Sequence, residues 1–150
     1  SVRLLCVVYP VSRRLLVLSN FLSSLNSNHT MAFPIPSPYE WDASFDVKYD
    51  VINDQHKELF KLIRELDADR ASGDKLTALL NYVVLHFTHE EGMFDANKYE
   101  DTASHKATHA KFVNDAKALT SIGDSEMTFI KQWLVDHIKA TDVKYMGKLG

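Results

Sequence analysis

From Asp50 onward, apolar residues recur at steps of three and four, broken only by short polar turns. The first segment, from about Asp50 to Asp69, carries Ile52, His56, Leu59, Ile63 and Leu66 on one stripe and ends at the turn Ala71-Ser72-Gly73. The second starts near Asp74, the expected N-cap, and carries Leu76, Leu79, Val83, His86, Glu90 and Phe94. The third starts near Asp101 or Thr102 with His105, His109, Phe112, Ala116 and Leu119 on its stripe. The fourth follows Gly123 and carries Met127, Ile130, Leu134 and His137. This period is helical, and no alternation at a step of two competes with it. Ahead of the first segment, Pro34, Pro36 and Pro38 block helix and sheet, which predicts an arm packed by Tyr39, Trp41 and Phe45. The expected fold class is all-α: an antiparallel up-down-up-down four-helix bundle with an extended N-terminal arm.

Ionisable residues stand on these stripes where core residues belong. His86 and Glu90 are four apart, one above the other on one helix face with about 6 Å of rise between them. His105 and His109 repeat that step, at which two imidazoles chelate one ion. His137 and Asp142 are five apart, roughly 140° around a continuing helix, so they cannot share a face. The fourth helix is therefore expected to end near Lys139 to Thr141, with Asp142 folding back from beyond it. Each signal alone has a plainer reading: a surface ion pair, a chance pair of histidines, or, for His56, a core histidine bonded to a neighbour. His29 lies in the N-terminal stretch, and His89 borders the polar side with Glu91, so both are read as outside the set. What remains is His56, His86, His105, His109, His137, Glu90 and Asp142, on the inward faces of all four helices.

Burying that many ionisable groups is costly unless something positive pairs with them. Imidazole and carboxylate without thiolate suit iron, zinc, copper or manganese. A single zinc takes three or four protein ligands, fewer than are present. Two six-coordinate ions offer roughly twelve positions; five imidazoles, two bridging carboxylates and a bridging hydroxide fill all but one. The net charge of such a cluster of divalent ions is about +1, tolerable in a bundle core. Di-iron enzymes of the ferritin-like kind use Glu-x-x-His motifs and more carboxylates. No Glu-x-x-His occurs in this chain.

A chain of 150 residues accommodates one domain with a real core. Its single cysteine, Cys6, excludes a disulfide framework within the chain and cysteine-ligated metal, and fits a reducing, cytoplasmic compartment. Residues 1–30 hold Arg3, Arg13 and Arg14 and no acid, a charge of +3; the other 14 basic and 20 acidic residues leave 31–150 at −6. An acidic body without a basic stripe argues against nucleic acid as a partner. The apolar runs Leu4 to Val8 and Leu15 to Leu18 fall short of a membrane span, which needs about 20 residues. Residues 1–30 are expected to be a tail outside the fold, with Met31 as the functional start and the domain running over 31–150. A secretory signal around Arg13-Arg14 and Leu15 to Leu25 is the alternative.

From about residue 32 to 149 the chain resembles the hemerythrin family, oxygen carriers of several marine invertebrate groups. The resemblance rests on Phe33-Pro34-Ile35-Pro36 through Tyr39, Trp41, Asp42 and Phe45, and on His86-Phe87-Thr88-His89-Glu90-Glu91. It continues in Trp133-Leu134-Val135, His137-Ile138-Lys139, Thr141-Asp142, Lys144 and Tyr145. It implies two iron ions (Fe2+/Fe3+) joined by an oxo or hydroxo group. His105, His109 and His137 would bind one ion, His56 and His86 the other, with Glu90 and Asp142 bridging. Each Fe(II) would give one electron and the bridging hydroxide its proton, so that dioxygen is held as hydroperoxide on the two-histidine iron and leaves again as O2. Leu59, Phe87, Trp133 and Leu134 fall within a turn of ligands and are expected to form an apolar pocket that protects this adduct. Phe94 departs from the family pattern, where methionine is more usual, and is expected to alter pocket shape. Gly92 inside the second helix is also unusual, at about 1 kcal/mol in propensity relative to alanine. The expected function is reversible dioxygen binding for transport or storage, not enzymatic turnover. A di-iron peroxidase or oxidase and a metal-detoxification protein are the alternatives. Dioxygen is the expected partner, with no nucleic acid or membrane; monomer or homo-oligomer stays open.

Overall fold

The apolar stripes build four helices: α1 (Asp50–Ala68), α2 (Gly73–Asn97), α3 (Thr102–Lys117) and α4 (Asp124–Ala140). These belong to a computed structural model that describes residues 33–150, so the readings made for residues 1–30 lie outside the described residues. Short 3₁₀ turns at Ala43–Phe45 and Asp142–Tyr145 flank the helices, and no strand occurs among the described residues. Successive helices run antiparallel as a four-helix bundle. The core is the set of stripes meeting: Ile52, Leu59, Ile63 and Leu66 of α1, Leu79 and Val83 of α2, Phe112 and Ala116 of α3, and Met127, Ile130 and Leu134 of α4 are all buried. Each large apolar side chain placed there contributes about 1.5 to 3 kcal/mol.

Two helix ends differ from expectation. The N-cap of α2 is Ser72, whose Oγ accepts the Lys75 N–H at 3.2 Å. Asp74 lies inside the first turn, where its charge complements the positive end of the helix. At the other end of α2, Lys98 adopts φ 51, ψ 44, the left-handed cap that lets its N–H bond back to Asp95 and Phe94. Helix α3 stops at Lys117, so Leu119 is a half-buried residue of the connection rather than part of the stripe. Helix α2 passes unbroken through Gly92, and no neighbour lies where a Cβ there would project.

The arm is pinned at both ends. The Phe33 N–H donates to Asp136 Oδ1 (2.8 Å), and Gln132 Nε2 donates to the Phe33 carbonyl (2.7 Å), which ties the arm's start to α4. Further along, the Tyr39 hydroxyl donates to the Lys131 carbonyl (3.2 Å). The rings of Tyr39 and Phe45 both pack on Phe60 of α1, at centroid distances of 4.7 and 4.9 Å. The arm thus extends the core past what four helices alone would bury. No helix among the described residues is long and apolar enough to cross a membrane.

Candidate metal centre

Helix periodicity delivers the polar residues to one level of the core. His56 of α1, His86 and Glu90 of α2, His105 and His109 of α3 and His137 of α4 are each at most 4% exposed. Asp142 arrives as the sequence requires. Helix α4 ends at Ala140, and the 3₁₀ turn that follows folds Asp142 inward until it is wholly buried.

Their reactive atoms form two adjoining groups. On one side, His137 Nε2 lies 3.3 Å from His105 Nε2 and 3.1 Å from His109 Nε2. On the other stand His56 and His86, with ring centroids 4.8 Å apart. Glu90 belongs to both groups: its Oε2 is 3.3 Å from His109 Nε2, 3.9 Å from His105 Nε2 and 3.8 Å from His86 Nε2. Asp142 spans them as well, with Oδ2 3.4 Å from His56 Nε2 and Oδ1 3.2 and 3.1 Å from His105 and His137 Nε2.

Three further side chains fix this arrangement, and none of them has a role at the site in the sequence reading. Gln55 Oε1 accepts from His86 Nδ1 at 2.9 Å, which leaves the His86 Nε2 lone pair bare toward the cluster. Glu91 Oε1 accepts from His109 Nδ1 at 3.0 Å, with the same consequence. The Tyr145 hydroxyl donates to Glu90 Oε1 at 2.6 Å and leaves Oε2 free. Two sequence readings need correcting here. His89 is half-buried rather than solvent-facing, because three residues beyond His86 it lies at the α1 edge, where its Nδ1 accepts from Gln55 Nε2 at 2.8 Å. Glu91, assigned to the polar side, reaches back to His109.

The donor set fits a pair of cations. His56 Nε2, His86 Nε2, Glu90 Oε2 and both carboxylate oxygens of Asp142 are buried without a hydrogen-bond partner. Native interiors leave few such atoms, because each costs roughly 1 to 3 kcal/mol. The His109 and His137 Nε2 atoms face each other at 3.1 Å, a separation that requires either a proton or a metal cation between the two nitrogens. Neighbouring ligands about 2.1 Å from one ion, at right angles, stand about 3 Å apart, close to the separations among these nitrogens. The imidazole and carboxylate chemistry also suits a first-row metal.

Burial holds His86 and His109 in the neutral form that a metal needs. It lowers their pKa from the usual 6.5 to about 3; for His109 the nearby His137 and His105 add to the shift. For His137 burial acts downward too, but the Asp142 carboxylate outweighs it and leaves that pKa raised. Asp142, in turn, stays well below the ordinary carboxylate range despite its burial, because His137 is beside it. The two lowered histidines take up protons in the unfolded chain before they do so in the folded one. Their contribution to stability is therefore present above pH 6.5 and is lost as pH falls toward about 3. His137, with its pKa raised, contributes fully below pH 6.5 and loses that contribution only as pH rises above it, so it does not oppose the other two in the window where they titrate. The melting temperature of metal-free protein is expected to fall steadily between pH 7 and pH 4 in calorimetry. A flat profile would contradict the neutral, buried state of these rings.

Beside the cluster lies an apolar cavity of about 20 Å3. Leu59, Phe87, Trp133 and Leu134, the residues expected to wall a pocket, all line it, together with Ile63, Leu79, Val83, Phe112 and Ile130. Two of its walls are the backs of the cluster: Phe87 stacks on His109 at 3.7 Å and 3°, and Trp133 on His137 at 4.4 Å and 13°. Phe94 is not part of the lining. It packs instead on His105 (4.6 Å) and Tyr145 (5.4 Å), so its departure from the family pattern bears on that side of the cluster and not on pocket shape.

Fold and site together define a four-helix protein whose core presents imidazole and carboxylate donors in two adjoining groups. The chain belongs to the hemerythrin family: residues 47–149 match the family model of the hemerythrin HHE cation binding domain. It is 54% identical over 119 residues to a hemerythrin-like protein of Naegleria gruberi, covering 79% of this chain and all of that protein. It is 42% identical over 120 residues to the myohemerythrin of Theromyzon tessulatum, with 79% and 100% of the two chains covered. The fold superposes on a crystal structure of wild-type hemerythrin with a TM-score of 0.69 at 32% identity, over 73% of this chain and 95% of that one.

Proposed function

We propose that the protein binds dioxygen reversibly, as a carrier or store rather than an enzyme, at two iron ions. His105, His109 and His137 would hold one ion, His56 and His86 the other, with Glu90, Asp142 and an oxo or hydroxo group between them. The observation that carries this reading is the cavity: it is small, wholly apolar in its lining, and backs directly onto the rings of His109 and His137. When bound, a ferrous pair would supply reversible two-electron chemistry and a vacant coordination position for dioxygen. The chain's own residues do the rest. Leu59, Phe87, Trp133 and Leu134 exclude water from the approach, which favours return of the bound gas over hydrolytic loss. Gln55 and Glu91 orient two imidazoles by their far nitrogens. Tyr145 holds Glu90 so that one oxygen faces the cluster.

No acid or base faces the cavity, so nothing there is placed to transfer a proton to an organic substrate. The single cysteine accords with a cytoplasmic setting. The test is anaerobic loading with Fe(II), followed by alternating air and argon. Two irons per chain and a colour that develops in air and bleaches under argon over many cycles are expected. A one-way colour change with release of peroxide would overturn the reading in favour of an oxidase. Retention of zinc or cadmium in preference to iron would favour detoxification.

A further inference from the structure

The two groups of imidazoles differ in how their outer nitrogens are held, and this difference has an electrostatic sense. In the two-histidine group, His86 donates to Gln55, a neutral amide, at 2.9 Å, while His56 Nδ1 has no partner. In the three-histidine group, His109 donates to the Glu91 carboxylate at 3.0 Å, while His137 Nδ1 has none. Glu90 and Asp142 face both groups, so their charge does not separate them. Glu91 is the carboxylate that does. Its side chain is 30% exposed, and the ring it holds is only 2% exposed.

A carboxylate on the far nitrogen of a metal-bound imidazole draws the N–H proton toward itself and makes the other nitrogen a stronger donor. A neutral amide does this far less. Gln55 also donates its Nε2 to His89 Nδ1 at 2.8 Å, which fixes the amide with its oxygen toward His86. The identity of the partner on each side is thus set by the structure. We infer that Glu91 is a positioning residue that, through His109, makes the three-histidine ion the more electron-rich of the pair and the one better stabilised as Fe(III). This rests on the di-iron reading above and adds a charge difference, acting in the same sense, to the inequivalence of three imidazoles against two. Its chemical consequence is that the charge of the oxidised pair is stabilised on the side away from the two-histidine ion.

The experiment uses full-length, iron-loaded protein and reads the one-electron midpoint potentials of the pair by mediated spectroelectrochemical titration. Glu91→Gln keeps an acceptor oxygen for His109 but removes the charge. It is expected to reduce the Fe(III)-over-Fe(II) preference about tenfold, which raises a midpoint by about 59 mV. Gln55→Glu places the equivalent charge against His86 and is expected to lower a midpoint by a similar amount; the double exchange should narrow the difference between the two ions, since the third imidazole stays where it is. A purely structural role predicts a lower melting temperature in Glu91→Gln with midpoints unmoved, and that result would overturn the inference. If Glu91→Gln fails to take up iron, Gln55→Glu alone decides: an unchanged midpoint there also overturns it. Wild-type protein that does not hold two irons would instead sink the di-iron reading, and this inference with it.

Discussion

Protein carrying Glu90→Gln is expected to retain one metal ion per chain where the native protein is expected to retain two. The reason is the place of one oxygen. Glu90 Oε2 belongs to the three-histidine group and to the pair formed by His56 and His86. Without it, the first group still has three imidazoles and Asp142, enough for a four-ligand site. The second falls to His56, His86 and one oxygen of Asp142, and an amide N–H2 then points where an anion stood. The substitution conserves volume, and the amide oxygen can still accept from Tyr145, so the bundle should remain folded with native helical signal. The loss at the second position should exceed the tenfold to hundredfold drop that follows removal of an outer hydrogen-bond partner. Metal analysis after dialysis, with titration by Co(II) to count sites, reads this directly. Two ions held with native affinity would remove Glu90 from the set of ligands.

The core and the cluster were legible in the sequence for one reason: both follow helical periodicity. His56, His86, His105, His109 and His137 fall at the same steps as Leu59, Val83, Phe112 and Leu134, so whatever buries the apolar residues buries the imidazoles. Asp142 was legible by failing that rule, since five residues from His137 it needs the helix to stop first. What periodicity does not resolve is the flank of a stripe. Gln55, His89 and Glu91 sit one step to the side of ligands, where a polar side chain can face water or turn inward. Their inward bonds depend on how closely α1 and α3 approach α2, which is a tertiary property. The start of α2 shows the same limit on a smaller scale. Ser72 and Asp74 are both good capping residues, and the path of the preceding turn decides between them. The orientation of Phe94, toward His105 and away from the cavity, also rests on which neighbours fill the space beside it.

Metal loading is expected to raise the melting temperature of the protein by about 20 °C, the largest stability effect the structure implies. The metal-free core carries a debt in unsatisfied atoms: His56 Nε2, His86 Nε2, Glu90 Oε2 and both oxygens of Asp142 have no hydrogen-bond partner. Water cannot settle it at low cost, since the surrounding rings of Phe87, Phe94 and Tyr145 are themselves buried and packed on the cluster. An ion that binds only the folded chain stabilises it by about 4 kcal/mol at a thousandfold excess over Kd, so two independent ions give about 8 kcal/mol. In a domain of this size each kcal/mol moves the melting temperature by roughly 2 to 4 °C. Binding of metal to histidines of the unfolded chain reduces the gain somewhat. Differential scanning calorimetry of chelator-treated and reloaded samples at pH 7 measures it. A difference below about 5 °C would mean that the cage satisfies itself without metal, through protons shared between its imidazoles and carboxylates, and the lone-pair convergence at 3.1 Å would then require a proton rather than a cation.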